Sequence, residues 1–235
     1  MNTVGVVIAL AAEARALMPR KLQLGVIEEV GGVRVHVCGM GMQAAAAAAL
    51  GLAESGVAAL AIYGVAGALD PGLASGALVC PRVVLDEHGA HYLSDAGWRL
   101  RLTTRLGGQT LLDHPLLTVS EPLLTLQSKT EAWRKFKAGV VDMESAAVAE
   151  VANAQGLPFL ALRAIADNAQ DSIPPSLADA VDPWGRARPA AVATALLRHP
   201  QLIPQLPHLA GSMNRACATL RRAAQAAGPG LAYAD

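Results

Sequence analysis

The feature that most restricts this chain is an alternation. Short apolar runs rich in β-branched residues end in a glycine turn or an acid, and helix-forming stretches lie between them. Val4 to Leu10 reads as a buried strand, and "AAEARALMP" reads as a helix stopped at Pro19. "GGVRVHVCGMG" alternates with a strand period from Val33 to Cys38 and then turns on glycines. "MQAAAAAALGLAES" is a strong helix former, with Gly56 placed to cap it. "VAALAIYGVAGAL" reads as a central strand with a second glycine turn. "ALVCPRVVLDE" reads as one further strand, in which Pro81 marks a bulge or an edge. "LPFLALRAIAD" is another strand, and it delivers Asp167 at its carboxyl end.

Strands alternating with helices predict an α/β fold, a single three-layer domain with a mixed central sheet flanked by helices. Ligands in such folds gather where strands end. Four ends carry candidate chemistry: 10–15, 38–44, 63–69 and 163–168. Between 86 and 135 the pattern predicts loops with one or two strands. In "VVDMESAAVAEV", Met143, Ala147, Val151 and Ala154 share a helical face, and Gly156 caps that helix. A polar, proline-rich loop follows Asp167. Two helices close the chain, at about 189–198 and 209–227, the second with Met213, Cys217, Leu220 and Ala224 on one face. With 235 residues and no break in composition, one unit spanning 1–235 is expected, long enough for a sizeable core.

Composition removes several function classes. The formal net charge is zero and aromatics make up 3% of residues. Nucleic-acid binders carry a basic footprint with aromatic stacking platforms, so nucleic acid is not an expected partner. Cys38, Cys80 and Cys217 are widely spaced and odd in number, which argues against a disulfide framework and for a reducing compartment. The opening stretch lacks a positive n-region, and Glu13 follows its apolar run, so a secretory signal is not expected. Uncharged apolar stretches fall short of the ~20 residues a spanning helix needs. A cytoplasmic location is the resulting expectation.

Individual motifs differ in what they carry. "GMGMQA" fits the glycine pattern of a dinucleotide turn, but the acid required about 20 residues on is missing. The turn is better read as one that lets backbone approach a small ligand. His88 and His91 have a metal-ligand spacing but no third partner at a fitting distance, which favours a surface loop. Asp142 and Glu144 both suit a helix start, where acids stabilise by a few tenths to ~1 kcal/mol. Asp167 ends an apolar strand. Partial desolvation there raises a carboxyl pKa and suits a general acid. Glu13 follows the first strand in the same way.

Taken in order, these motifs resemble the superfamily of purine nucleoside phosphorylases and methylthioadenosine/S-adenosylhomocysteine nucleosidases. The resemblance rests on "VVDMESAAVAEVANAQGLPFLALRAIADNA", on the opening "VGVVIALAAEARAL", and on the turns "CGMG" and "YGVAGALDPGLASGALVCP". It covers most of residues 3–170 and is poor over 90–135. It implies a nucleoside phosphorylase-like fold and cleavage of a purine N-glycosidic bond without a metal or organic cofactor, with inorganic phosphate as co-substrate only if the enzyme is a phosphorylase.

The resemblance also implies roles. Glu144 takes the place of a ribose-binding glutamate, and Met143 that of a methionine lining the sugar. Asp167 takes the place of the aspartate that protonates the purine, and Glu13 that of the glutamate directing a nucleophilic water. The glycine turns bring Gly41 and Gly67 to the ligand, and Val65 stands where relatives often carry Ser or Thr. No arginine precedes the second turn, where phosphorylases hold phosphate, and this favours water as nucleophile. Arg15, two residues after Glu13, is compatible with either. No base-stacking aromatic lies near "VSEPLLT", so Leu123 or Leu124 would pack the base.

The segment "IADNAQDSIPPSLADAVDPWGRARPAAVATALLRHPQLIPQL" resembles a narrower branch, the hopanoid-associated nucleosidase/phosphorylase proteins. That implies adenosylhopane as substrate, a lipid-like 5′ group and peripheral membrane contact. A methylthioadenosine-type substrate is the alternative, and a non-catalytic nucleoside-binding protein is the alternative from a different class. The superfamily resemblance implies a homo-oligomer, with a dimer favoured.

Overall fold

A computed structural model describes residues 3–233; the two residues at either end of the expected 1–235 unit lie outside the described residues. The first half runs β1 (Val4–Ile8), α1 (Ala11–Leu17), β2 (Ile27–Val30), β3 (Val33–Val37), α2 (Met42–Glu54), β4 (Ala59–Ala68), β5 (Leu78–Val79), β6 (Val83–Asp86), β7 (His91–Leu93) and α3 (Ala96–Arg105). The second half runs β8 (Leu111–Leu112), β9 (Leu116–Thr118), α4 (Leu126–Phe136), β10 (Val140–Asp142), α5 (Ser145–Ala154), β11 (Phe159–Asp167), α6 (Pro175–Ala178), α7 (Pro189–Arg198) and α8 (Leu206–Ala227). A 3₁₀ turn, Pro200–Gln205, links the last two helices.

The strands form one mixed sheet with helices on both faces, as the alternation predicts. Period-two patterning along the central strands builds two cores. Ala59, Ala61 and Tyr63 of β4 and Leu160, Leu162 and Ala164 of β11 share one core with Leu17 of α1 and Ala216, Leu220 and Ala223 of α8. The alternate residues Leu60, Ile62, Ala161 and Ile165 face the alanine-rich α2 and α5. Leu52 of α2 is fully buried there; truncating such a leucine to alanine destabilises by ~2–5 kcal/mol.

The topology at β4 positions the site. One edge of β4 pairs along its length with parallel β11. The other edge is shared: β1 pairs as far as Ile62, and β10 pairs only with Gly67 and Ala68. Residues 63–66 therefore pair with no described strand on that side, and a cavity lies there. Opposite, β11 carries a register shift: Ile165 pairs with Ala66 and Asp167 with Gly67. Ala166 is thus the extra residue of a bulge, a device that re-aims side chains.

Several expectations need correction. "ALVCPRVVLDE" is two strands, β5 and β6, broken around Pro81, where the ladder loses a donor. Residues 86–135 hold two helices besides short strands. α3 starts at Asp95, whose side chain accepts a hydrogen bond from the Trp98 N–H, and α4 starts at a Thr125–Ser128 cap. Met143 precedes α5 and does not belong to its face. The buried face of α8 carries Ser212, Ala216, Thr219, Leu220, Ala223 and Ala224, so Leu220 and Ala224 lie on it as expected while Met213 and Cys217 are only partly buried.

Candidate active site

A cavity of about 230 Å³ opens at the strand ends, and Glu13, Val65, Gly67, Leu123, Leu124, Met143, Glu144 and Asp167 all line it. Gly41 is not among the lining residues. Its amide acts one step back, donating to Glu144 Oε1 at 2.9 Å. The glycine turn makes this possible because Gly39 and Gly41 adopt φ of +93° and +99°, a region costly for residues with a Cβ. Arg15 is exposed and lies outside the cavity wall. His88 and His91 are exposed too. Among the described residues, no group of three or more His, Cys, Asp or Glu side chains is arranged to hold a metal ion.

Glu13 occupies the first turn of α1 and is 1% exposed. Its Oε1 accepts from the Val65 N–H at 2.7 Å, and its Oε2 from the Leu10 N–H at 2.8 Å. The first of these bonds takes the amide that the gap between β1 and β10 leaves without a strand. Burial pushes Glu13 up to about 7, against the pull of Arg163. A carboxylate that titrates near neutrality suits a general base. Gly64 makes room for it: a Cβ there would lie 2.5 Å from Glu13 Oε1 and 2.7 Å from Arg163 Nη1.

Arg163 belongs to a run whose sequence predicts only an apolar strand, yet it organises this end of the cavity. It is fully buried on the α5 side of β11. Its Nη2 pairs with Asp142 Oδ2 at 2.5 Å and lies 3.6 Å from Glu144 Oε2. Nε and Nη2 also donate to Ser145 Oγ at 3.3 and 3.1 Å, while Nη1 has no hydrogen-bond partner among the described residues. Burial opposes its charge, but Asp142, Glu144 and Glu13 together hold it protonated. An arginine inside an apolar strand is itself a signal, because charged side chains are almost never fully buried without a partner.

Asp142 is therefore more than a helix-start acid. Besides holding Arg163, it accepts from Thr118 Oγ1 at 2.8 Å and from Ser145 Oγ at 2.5 Å. Its expected contribution to the helix start survives as an acceptor for the Ser145 N–H at 3.2 Å. Glu144 keeps its carboxylate toward the cavity. Burial raises its pKa first, and the neighbouring Asp142 charge adds to that.

At the opposite wall, the bulge presents Ala166 and Asp167 to the cavity. Burial raises the Asp167 pKa, the direction expected from its place at the end of an apolar strand. The opposing influence is Lys129 of α4, which forms an ion pair with Asp167 and lowers it. Lys129 went unnoticed in the sequence because a lysine at a buried helix position breaks the apolar pattern that would have revealed the helix. Burial, with the nearby Glu144 charge, pushes the Cys38 thiol up to about 12, away from the thiolate form that nucleophilic cysteines use.

The arrangement joins one buried carboxyl held by two backbone amides, a second at the cavity wall beside Arg163, and a third whose pKa burial raises across the cavity. It can add a nucleophile at one face of a bond and protonate a leaving group at the other.

Comparison with known proteins bears on this geometry. A family model described as the phosphorylase superfamily matches residues 18–198. Futalosine hydrolase of Helicobacter pylori strain 26695 superposes with a TM-score of 0.70 at 15% identity, covering 96% of each chain. Helicobacter pylori 5′-methylthioadenosine/S-adenosyl homocysteine nucleosidase gives 0.70 at 15% identity, covering 95% of this chain and 96% of that one. The Neisseria meningitidis nucleosidase in complex with methylthio-immucillin-A gives 0.71 at 17% identity over 99% of each. No curated protein sequence matches the chain. At these identities the likeness is one of fold.

Proposed function

Since the chain belongs to the phosphorylase superfamily, we propose that it hydrolyses the N-glycosidic bond of a 5′-modified adenosine and releases adenine. The observation that carries water as the nucleophile is the charge inventory of the cavity. Among the described lining residues Lys129 is the only cation, and it is committed to Asp167. Arg163 lies outside the cavity wall, with Nη2 tied to Asp142 and Ser145 and its charge balanced by Asp142 and Glu144. A phosphate entering here would meet Glu13 and Glu144 instead of a free guanidinium, whereas a neutral water meets two carboxylates able to orient it.

In this reading Glu144 accepts hydrogen bonds from the ribose hydroxyls, and these strengthen as the sugar becomes oxocarbenium-like. Met143 and Val65 line the sugar. Leu123 and Leu124 pack the base. Water attacks the anomeric carbon while Glu13 takes its proton. The bond to N9 breaks, its electron pair passes to the purine, and Asp167 delivers a proton to N7 so that the base leaves neutral.

The finer reading concerns the 5′ group. Leu10, Met40, Ile173 and Met213 give the cavity an apolar wall. At about 230 Å³ it is smaller than the ~300–1,000 Å³ of sites that enclose drug-sized ligands. It takes a nucleoside and leaves a large substituent outside. Adenosylhopane is favoured by the resemblance of the carboxyl-terminal segment, and its lipid-like group adds peripheral membrane contact. A short thioether is the second reading, favoured by the nucleosidase folds that superpose.

The test incubates the protein with 5′-methylthioadenosine, adenosylhopane and unmodified adenosine, with and without phosphate, and measures adenine. Release without phosphate is expected. Strict phosphate dependence makes it a phosphorylase, and saturable binding of a nucleoside with no release of adenine makes it a binding protein.

A further inference from the structure

Lys129 has no part in the proposed reaction, yet it is 1% exposed and is the only cation among the described residues that line the cavity. All three of its N–H donors are spoken for. Nζ pairs with Asp167 Oδ2, and it donates to the carbonyls of Asn168 at 2.8 Å and Asp171 at 3.0 Å. Burying an ammonium is expensive unless it is paired, and an apolar side chain of similar length serves a helix face as well or better. The charge is therefore placed for its partner. That partner is the one side chain expected to hand a proton to the leaving base. Oδ2 is committed, while Oδ1 takes no hydrogen bond from any described residue.

We infer that Lys129 is the positioning residue for Asp167, fixing which carboxylate oxygen faces the base and holding the 167–171 turn beneath it. The inference rests on the hydrolase reading for its consequence. The charged groups facing Asp167 are Lys129 from α4 and Asp171 from the following loop, and Asp171 is itself paired with His208 of α8 at 3.0 Å. Burial raises Asp167 most, Asp171 adds to that, and Lys129 lowers it, so Lys129 pulls down the upper pH at which the acid still holds its proton.

The test uses Lys129→Met and Lys129→Gln; the second keeps a donor for the two carbonyls without the charge. In both, the alkaline limb of kcat/KM for adenine release should move up by about one pH unit, and kcat should fall about tenfold or more as the carboxyl loses its fixed orientation. A readout free of turnover follows the Asp167 carboxyl by ¹³C NMR, assigned by its loss in Asp167→Asn. It should titrate higher in the variants. In the wild type, the Lys129 ¹⁵Nζ resonance should move in step with it, which decides the pairing even if neither variant folds. Profiles and carboxyl titrations that superpose on the wild type, with only the melting temperature lowered, would overturn the inference alone. A wild type that releases no adenine overturns the hydrolase reading and this role with it, and the NMR arm tells the two apart.

Discussion

Replacing Gly64 by alanine puts the placement of Glu13 to a quantitative test. Gly64 sits in β4 opposite Arg163 of β11, so its backbone is held by the longest ladder in the sheet. An added Cβ would lie 2.5 Å from Glu13 Oε1 and 2.7 Å from Arg163 Nη1, whereas ordinary contact begins at 3.4 Å. Arg163 is pinned by Asp142 and Ser145, so the Glu13 carboxylate yields, by about 0.9 Å. Taken along its 2.7 Å bond to the Val65 N–H, that shift stretches the bond to roughly 3.6 Å, beyond useful hydrogen bonding. Overpacking of this kind destabilises by ~1–3 kcal/mol. A displacement near 1 Å at a reacting group lowers turnover on the order of 100-fold, or ~2.7 kcal/mol of transition-state free energy. The assay is kcat/KM for adenine release beside a thermal melt. Gly51→Ala is the control: it lies within α2, its Cβ would meet only Ile27 Cδ1 at 3.5 Å, and it should stabilise by up to ~1 kcal/mol without touching activity. A folded Gly64→Ala enzyme within threefold of wild type would refute the claim that the reaction depends on where Glu13 is held.

Glu144→Gln retains an acceptor for the Gly41 amide but loses its charge, so the fold should persist while kcat/KM drops ~100-fold or more; a 2′-deoxynucleoside cleaved as well as its ribo form would count against the sugar-binding role. Glu13 must be ionised to act as a base, so kcat/KM should climb as pH rises through about 7, and Glu13→Gln should abolish that limb along with activity. Stability runs the opposite way. Between the ordinary value of 4.5 and about 7 the folded protein retains a proton that the unfolded chain has released, so the Glu13 contribution to unfolding free energy declines across that window and stays low above it. Denaturant melts at pH 5 and pH 8 check this: the wild type should lose more stability between them than Glu13→Gln does.

What could be read in advance followed from periodicity and from where strands end. Val4–Ile8 and Phe159–Asp167 are regular enough to announce themselves; Asp167 ends the second, Glu13 sits in the helix turn that follows the first, and both line the cavity. The Gly39 and Gly41 turn was legible because glycine pairs at a strand end have few other uses. Three things were not legible, each for its own reason. The bulge at Ala166 depends on register with β4, which no local pattern records. Arg163 lies in an otherwise apolar run, and its need for a buried partner becomes visible only once Asp142 is folded against it. The helix holding Lys129 was hidden by Lys129 itself, since its inward face shows a charge and a small alanine where an amphipathic reading looks for large apolar residues. The groups least apparent beforehand are those that orient the side chains the reaction is expected to use.

The split along β4 gives Glu13 two employers. The chain needs an acceptor for the Val65 amide because β1 stops short and β10 starts late, and an amide buried without one costs ~1–3 kcal/mol. The carboxylate that answers this structural need is the one we propose to orient a nucleophile. Selection for a stable sheet and selection for turnover therefore act on the same oxygen atoms. A descendant that gave up the chemistry would still be held to this glutamate by its own backbone, and the route back to activity would stay short.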